Sequence, residues 1–184
     1  MKNNKGFSLI ELIVVVAIMA IMGSFIFISF GLLSGQDARE CASNLSTALD
    51  KEKNYALVRS GETDCYVEIV QTTDNYLARY SVPKKVTEKD SDMVQIEEES
   101  LGEQSVIISC YKDDDFEDSN VGTFKGMVTD TNILKIKYNR VNGEIKEIKL
   151  GSESDINVIQ IEKGRTYVIK LYTATGKHTL ERTD

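Results

Sequence analysis

The sequence predicts an α+β fold in which one long N-terminal helix, transmembrane in its first half and amphipathic in its second, packs on an antiparallel β-sheet. Three observations predict it. Residues 7–33 are almost uninterruptedly apolar. Apolar residues then recur at three- and four-residue spacing as far as Ala56. After Gly61 the period changes to two, in runs separated by turn residues. The chain has 184 residues, enough for one ordinary domain plus such a helix.

Residues 1–6, MKNNKG, form a short polar leader carrying Lys2 and Lys5. From Phe7 to Leu33 the only charge is Glu11. A helix of this length measures about 40 Å, against about 30 Å of bilayer hydrocarbon, so residues 7–35 are expected to span a membrane. Lysines before the run and none just after it place the N-terminus inside and the remaining domain outside.

Three readings of this segment compete. A cleaved secretory signal has an apolar region of about 7–15 residues and a small-x-small cleavage site. Here the run is longer, and Ser29-Phe30-Gly31 is a poor site. No Cys follows the run directly, which disfavours a lipoprotein anchor. An uncleaved anchor fits the length but leaves Glu11 without a role. The third reading places a processing point at the junction of polar Gly6 and apolar Phe7.

Glu11 bears on the choice, because a carboxylate inside an apolar helix costs about 2.5–3.5 kcal/mol by insertion scales. In a chain that begins at Phe7, Glu11 lies one helical turn from the new α-amine. It can pair with that amine or with the amine of an adjacent subunit. The penalty on an unpaired carboxylate in an apolar core would then set the axial register of neighbours. The alternative is a Glu snorkelling toward headgroups from the helix end. Spacing alone weighs the two equally.

The run Lys5-Gly6-Phe7-Ser8-Leu9-Ile10-Glu11-Leu12, continued by Ile13-Val14-Val15-Val16-Ala17-Ile18, resembles the prepilin signature of type IV pilins and type II secretion pseudopilins. The resemblance implies a pilin-like fold and a structural subunit rather than an enzyme, with no cofactor and no metal. It implies that a prepilin peptidase cuts between Gly6 and Phe7 and N-methylates Phe7, and that Glu11 serves assembly. The implied partners are that peptidase, other pilin or pseudopilin subunits, an assembly platform in the cytoplasmic membrane, and the lipid bilayer before assembly. The implied location is the cytoplasmic (inner) membrane as a single-pass protein, then a cell-surface pilus or a periplasmic or wall-spanning pseudopilus. Many such pilins carry Pro in the second half of the apolar helix; here Gly23-Ser24 occupies that region. That pair suits either bending or close helix packing.

Ser34-Gly35-Gln36 is a weak interruption before the globular part, residues 36–184. Ala38, Cys41, Ala42, Leu45, Ala48, Leu49, Tyr55 and Ala56 form the stripe of an amphipathic helix over 36–60. Asp37, Arg39, Glu40, Asn44, Asp50, Lys51 and Lys53 fill its other face. Arg59-Ser60-Gly61 supplies a stop with Gly61 at the cap. One helix from about Ser8 to Arg59 follows, and the region 61–184 is expected to be β-rich.

Cys65–Gln71 and Tyr76–Val82 read as strands around a turn at Thr72–Asn75. Lys84–Gly102 is polar and acidic, with at most a short strand near Met93–Ile96. Ser105–Tyr111 is a strong strand. Ile133–Val141 and Glu144–Leu150 alternate on either side of Asn142-Gly143, a type I′ hairpin signal. Asp155–Glu162 and Arg165–Tyr172 form a second hairpin around Lys163-Gly164, and Lys177–Glu181 adds a short last strand. The helix ending Tyr55-Ala56-Leu57-Val58-Arg59-Ser60-Gly61, with Tyr167-Val168-Ile169-Lys170-Leu171 and Thr175-Gly176-Lys177, is similar to the GspH/FimT group of minor pilins and pseudopilins. That similarity implies a less abundant subunit that initiates or caps filaments.

Charge and side-chain chemistry narrow the remaining classes. The net charge of -7 argues against a general nucleic-acid binder. Lys163, Arg165, Lys170, Lys177, His178 and Arg182 nonetheless form a basic C-terminal group, so a filament-borne DNA-binding subunit of an uptake system is the alternative function. Glu162, Glu181 and Asp184 dilute that group. Cys41, Cys65 and Cys110 lack metal spacing and are expected as buried thiols, one disulfide being the lesser alternative. Asp113, Asp114, Asp115, Glu117 and Asp118 lack the Gly and Glu of a calcium loop and read as a solvated loop. His178 is the only histidine and is expected at the surface or on a strand, which disfavours a triad.

Overall fold

The computed structural model describes residues 9–58, 65–82, 95–113 and 122–183, with the side chains of residues 23–34, 82, 95 and 96 left outside that description. Among the described residues there is a single helix, α1, which runs Leu9–Val58 over 50 residues. No Pro interrupts it, and its second half carries the stripe the sequence predicts. Ala38, Cys41, Ala42, Leu45, Ala48, Leu49 and Ala56 are all buried. Most of these side chains are small, so strands can come close. A Cβ added at Gly102 would lie 2.9 Å from Cys41 Cβ. The expected helix stop at Arg59-Ser60-Gly61 lies outside the described residues.

Ten strands follow among the described residues: β1 Cys65–Gln71, β2 Asn75–Val82, β3 Gln95–Glu103, β4 Ile107–Lys112, β5 Thr123–Met127, β6 Leu134–Tyr138, β7 Ile145–Leu150, β8 Val158–Lys163, β9 Arg165–Tyr172 and β10 Lys177–Thr183. They form two five-stranded sheets, ordered β3-β2-β1-β6-β7 and β10-β9-β8-β4-β5. Every pairing is antiparallel. Helix α1 packs against strands of both. Residues of the helix stripe and of both sheets belong to one hydrophobic cluster, including Leu45, Val67, Tyr80, Ile136, Ile108, Ile159 and Ile169.

The expected fold is corrected on two counts. The strands make two sheets, not one. The reason is that the chain changes sheet three times, after β3, β5 and β7: β4 pairs with β5 and β8, whereas β6 crosses back to pair with β1. Alternation along a strand reveals its buried face but not its neighbours. The second correction concerns the transmembrane first half. Among the described residues no helix is long and apolar enough to cross a membrane. The apolar segment with described side chains, Leu9–Met22, has a rise of about 21 Å, short of about 30 Å of hydrocarbon. The packed half beyond Gly35 is amphipathic and carries Asp37, Arg39 and Glu40. The expected single-pass placement in a cytoplasmic membrane is withdrawn on the same finding.

Smaller differences have local causes. β3 is longer than the expected Met93–Ile96 strand, and its acidic residues are met by cations. Arg79 Nε donates to Glu98 Oε1 at 2.8 Å, and Lys51 pairs with Glu97 at 3.5 Å and with Glu99. The β6–β7 connection is six residues, not a two-residue turn. Asn139 N–H donates to the Glu144 carbonyl at 2.7 Å, and Gly143 N–H donates to the Asn139 carbonyl at 2.8 Å. Side-chain amides support this wider loop: Asn139 Oδ1 accepts from Val141 N–H, and Asn142 Oδ1 from Glu144 N–H. The β8–β9 hairpin turns at Gly164, where φ is 69°.

The candidate assembly arm and its support

The first candidate site is the N-terminal part of α1, here called the arm. Leu9, Ile10, Leu12, Ile13, Val14, Val15, Val16, Ile18, Met19, Ile21 and Met22 are exposed, from 48% at Val15 to 77% at Leu9. Consecutive residues are included, so the arm is apolar on every face rather than along one stripe. Such a helix is suited to being surrounded by other apolar elements, and a continuous exposed surface of this kind marks an interaction site. Glu11 lies in the first turn of the described helix and is exposed. Gly6 and Phe7, the expected processing and methylation residues, lie outside the described residues, as does the leader.

The arm continues directly into the packed half of α1, where side chains from the strands hold the helix. Lys51 Nζ sits 4.3 Å from the Tyr80 ring centroid and pairs with Glu99, whose Oε2 accepts from Tyr80 Oη at 2.7 Å. The Lys51 and Tyr80 hydrogen bonds hold the Glu99 carboxyl below its usual range. Glu52 occupies a position in the apolar stripe and is fully buried. Burial pushes the Tyr138 hydroxyl upward, and the Glu52 charge adds to that shift. At the arm's base, Lys163 pairs with Asp37 and lies 3.3 Å from Glu103 Oε2.

The other candidates are placed as follows. Cys41, Cys65 and Cys110 are buried and none is joined in a disulfide. Burial pushes the Cys41 and Cys110 thiols up to about 12, with the Glu40 charge adding at Cys41. Of the acidic group, only Asp113 is described. It is buried, with its N–H donating to Asn157 Oδ1 at 2.7 Å and its carbonyl accepting from Asn157 Nδ2 at 2.6 Å. Among the described residues no group of three or more His, Cys, Asp or Glu could hold a metal ion. Of the basic C-terminal group, Lys163 is engaged as above and Lys170 pairs with Glu181 at 2.9 Å.

His178 lies on β10, as one of its expected placements has it, yet its side chain is only 7% exposed. Ser46 Oγ lies 2.8 Å from Nε2, and Asp50 Oδ2 lies 3.9 Å from the same nitrogen. A Ser-His-Asp relay needs its serine and carboxylate on opposite ring nitrogens, so this trio is a clasp between β10 and α1 rather than a triad. Burial pushes the imidazole below its ordinary range, Asp50 opposes the shift, and Lys53 adds to it. Ser46 and Asp50 are four residues apart on one helix face, but nothing near them in the sequence points to His178.

Comparison with known proteins bears on the arm. Residues 1–27 match a family model described as the prokaryotic N-terminal methylation motif. No curated protein and no solved structure matches the chain. The chain thus carries a prepilin-like N-terminal methylation motif, which points to a pilin- or pseudopilin-related family and to no particular subtype.

Proposed function

We infer that this chain is a structural subunit of a type IV pilus or a related secretion or competence filament. A prepilin peptidase cuts it between Gly6 and Phe7 and methylates Phe7. Residues 1–6 are the leader, residues 7–35 the filament-core helix and residues 36–184 the globular part. The mature chain assembles by packing its N-terminal helix among those of other subunits, with Glu11 pairing to a Phe7 amine and fixing register. The chain takes the rank of a minor, GspH/FimT-like subunit.

The observation that carries this reading is the coincidence of two features on one segment. The methylation motif covers residues 1–27, and the side chains described within it are, apart from Glu11, apolar and exposed on every face. A monomer gains nothing from exposing such a surface, whereas a bundle of arms buries it. Within that bundle a carboxylate without a cation would be penalised, so neighbours would settle where each Glu11 meets an amine.

Glu11→Ala tests the reading. Co-expressed with the remaining filament components, the variant should be processed normally but should fail to enter filaments, as judged by immunoblot of sheared and cell fractions. Incorporation equal to the unmodified chain would contradict the register role.

A further inference from the structure

The described side chains of the arm, Leu9–Met22, are all exposed, and the arm is continuous with the packed half of α1. Its direction therefore depends on how that half is gripped near the point of exit. Gly35 is the first residue after the arm whose burial is described, and it is buried. Glycine disfavours a helix interior, so its presence there calls for a packing reason. A Cβ at position 35 would lie 2.6 Å from Arg165 Cδ and 2.9 Å from Arg165 Nε. The Arg165 side chain thus lies over Gly35, and a larger residue there would have to displace it.

Two residues further on, Asp37 pairs with Lys163, which also lies 3.3 Å from Glu103 Oε2 and donates to Ser105 Oγ at 2.6 Å. Lys163 and Arg165 flank Gly164, the tip of the β8–β9 hairpin. Glu103 ends β3, the edge strand of the other sheet. One three-residue tip therefore touches the helix at two points and ties both sheets together beside it. Isolated surface ion pairs contribute little to stability. Their value here is geometric, because they meet at the base of a long lever.

We propose that the Lys163–Arg165 tip is a collar that sets the direction in which the arm leaves the domain, and that docking with a second subunit depends on this direction. The second clause rests on the filament reading above. The lever gives the scale. Leu9 lies 26 residues before Gly35, about 39 Å along a helix, so a swing of about 10° at the collar moves the arm's end by about 7 Å. That is close to the about 8–10 Å that separates packed helices, enough to misplace an arm by nearly one neighbour.

The test uses the full chain carrying nitroxide labels at Val16→Cys and Thr179→Cys, both exposed positions, while the native cysteines are buried. Electron-electron distance measurement should give one narrow distribution. Lys163→Glu and Gly35→Leu should each broaden or shift it by several ångströms, and Asp37→Lys and Glu103→Lys together with Lys163→Glu should restore it. Circular dichroism confirms that each variant is folded, and Arg165→Ala substitutes for any that is not. Distributions indistinguishable from the unmodified chain in Lys163→Glu and Gly35→Leu overturn the collar, as does a shift that the charge swap leaves unrestored. If the distances respond as expected but the unmodified subunit never enters a filament, the collar stands and the filament reading fails.

Discussion

Leu45→Ala probes the packing of α1 between the two sheets. Leu45 is fully buried at the centre of the helix stripe and belongs to the cluster that includes residues of both sheets. Truncations of this kind cost about 2–5 kcal/mol, least where neighbours collapse into the gap. Collapse is restricted here, because the hydrogen-bonded strands on either side hold their register. The flanking Ala42 and Ala48 are too short to fill the space. A loss of about 3–4 kcal/mol follows, which a small gain in helix propensity barely offsets. In a domain of this size that corresponds to a fall of about 8–12 °C in melting temperature. Denaturant unfolding followed by far-ultraviolet circular dichroism gives the free energy directly. Leu57→Ala is the control, since Leu57 is 45% exposed and should cost no more than about 1 kcal/mol. A Leu45→Ala loss equal to that of the control would refute the packing.

Three further outcomes follow from the same structure. With thiols pushed up to about 12, Cys41 and Cys110 have almost no thiolate at neutral pH. A maleimide should label neither in the native protein and both after denaturation; rapid native labelling would contradict their burial. Because burial holds His178 below its ordinary value, the buried neutral imidazole gives stability that is fully present above a pH of about 6.5 and is lost as pH falls through the lowered folded value. His178→Gln should flatten the pH dependence of the denaturation midpoint between about pH 7 and pH 5, and an unchanged slope would rule out the histidine as its source. Gly176→Ala should cost more than about 2 kcal/mol, because φ is 60° and the new Cβ would run into the Gly143 carbonyl. Gly143→Ala is also strained at a φ of 71°, but meets only the Lys53 and Leu57 side chains and should cost about 1 kcal/mol. Equal losses from the two would contradict the contact between these loops.

Much of the globular part was legible because burial imposes periodicity. The α1 stripe from Ala38 to Ala56, the β1 run CYVEIVQ and the β8–β9 hairpin each follow the spacing that a one-sided core requires. Edge strands obey a different rule, and there the pattern failed. β3 carries Glu97, Glu98 and Glu99, which read as a polar loop but suit an edge that must resist pairing with other chains. β5 is a five-residue edge strand with Gly126 inside it, too short and too exposed to register as an alternation. The division into two sheets and the burial of His178 are long-range facts. Ser46 and His178 are 132 residues apart, and no local window joins them. For the candidate site, the unbroken apolar run of the arm was legible from the order of residues, because no local folding rule hides a long stretch without alternation. The collar was not, because nothing near Lys163-Gly164-Arg165 in the sequence points to Gly35 and Asp37.

The central claim is that a peptidase shortens this chain at the start of its apolar arm and that the new terminus serves assembly. Intact mass spectrometry of the protein isolated from its native cells tests this most directly. The account predicts loss of residues 1–6 and a mature chain beginning at Phe7 with one added methyl group. A chain that retains Met1–Gly6, or begins at Phe7 without the methyl, would contradict it.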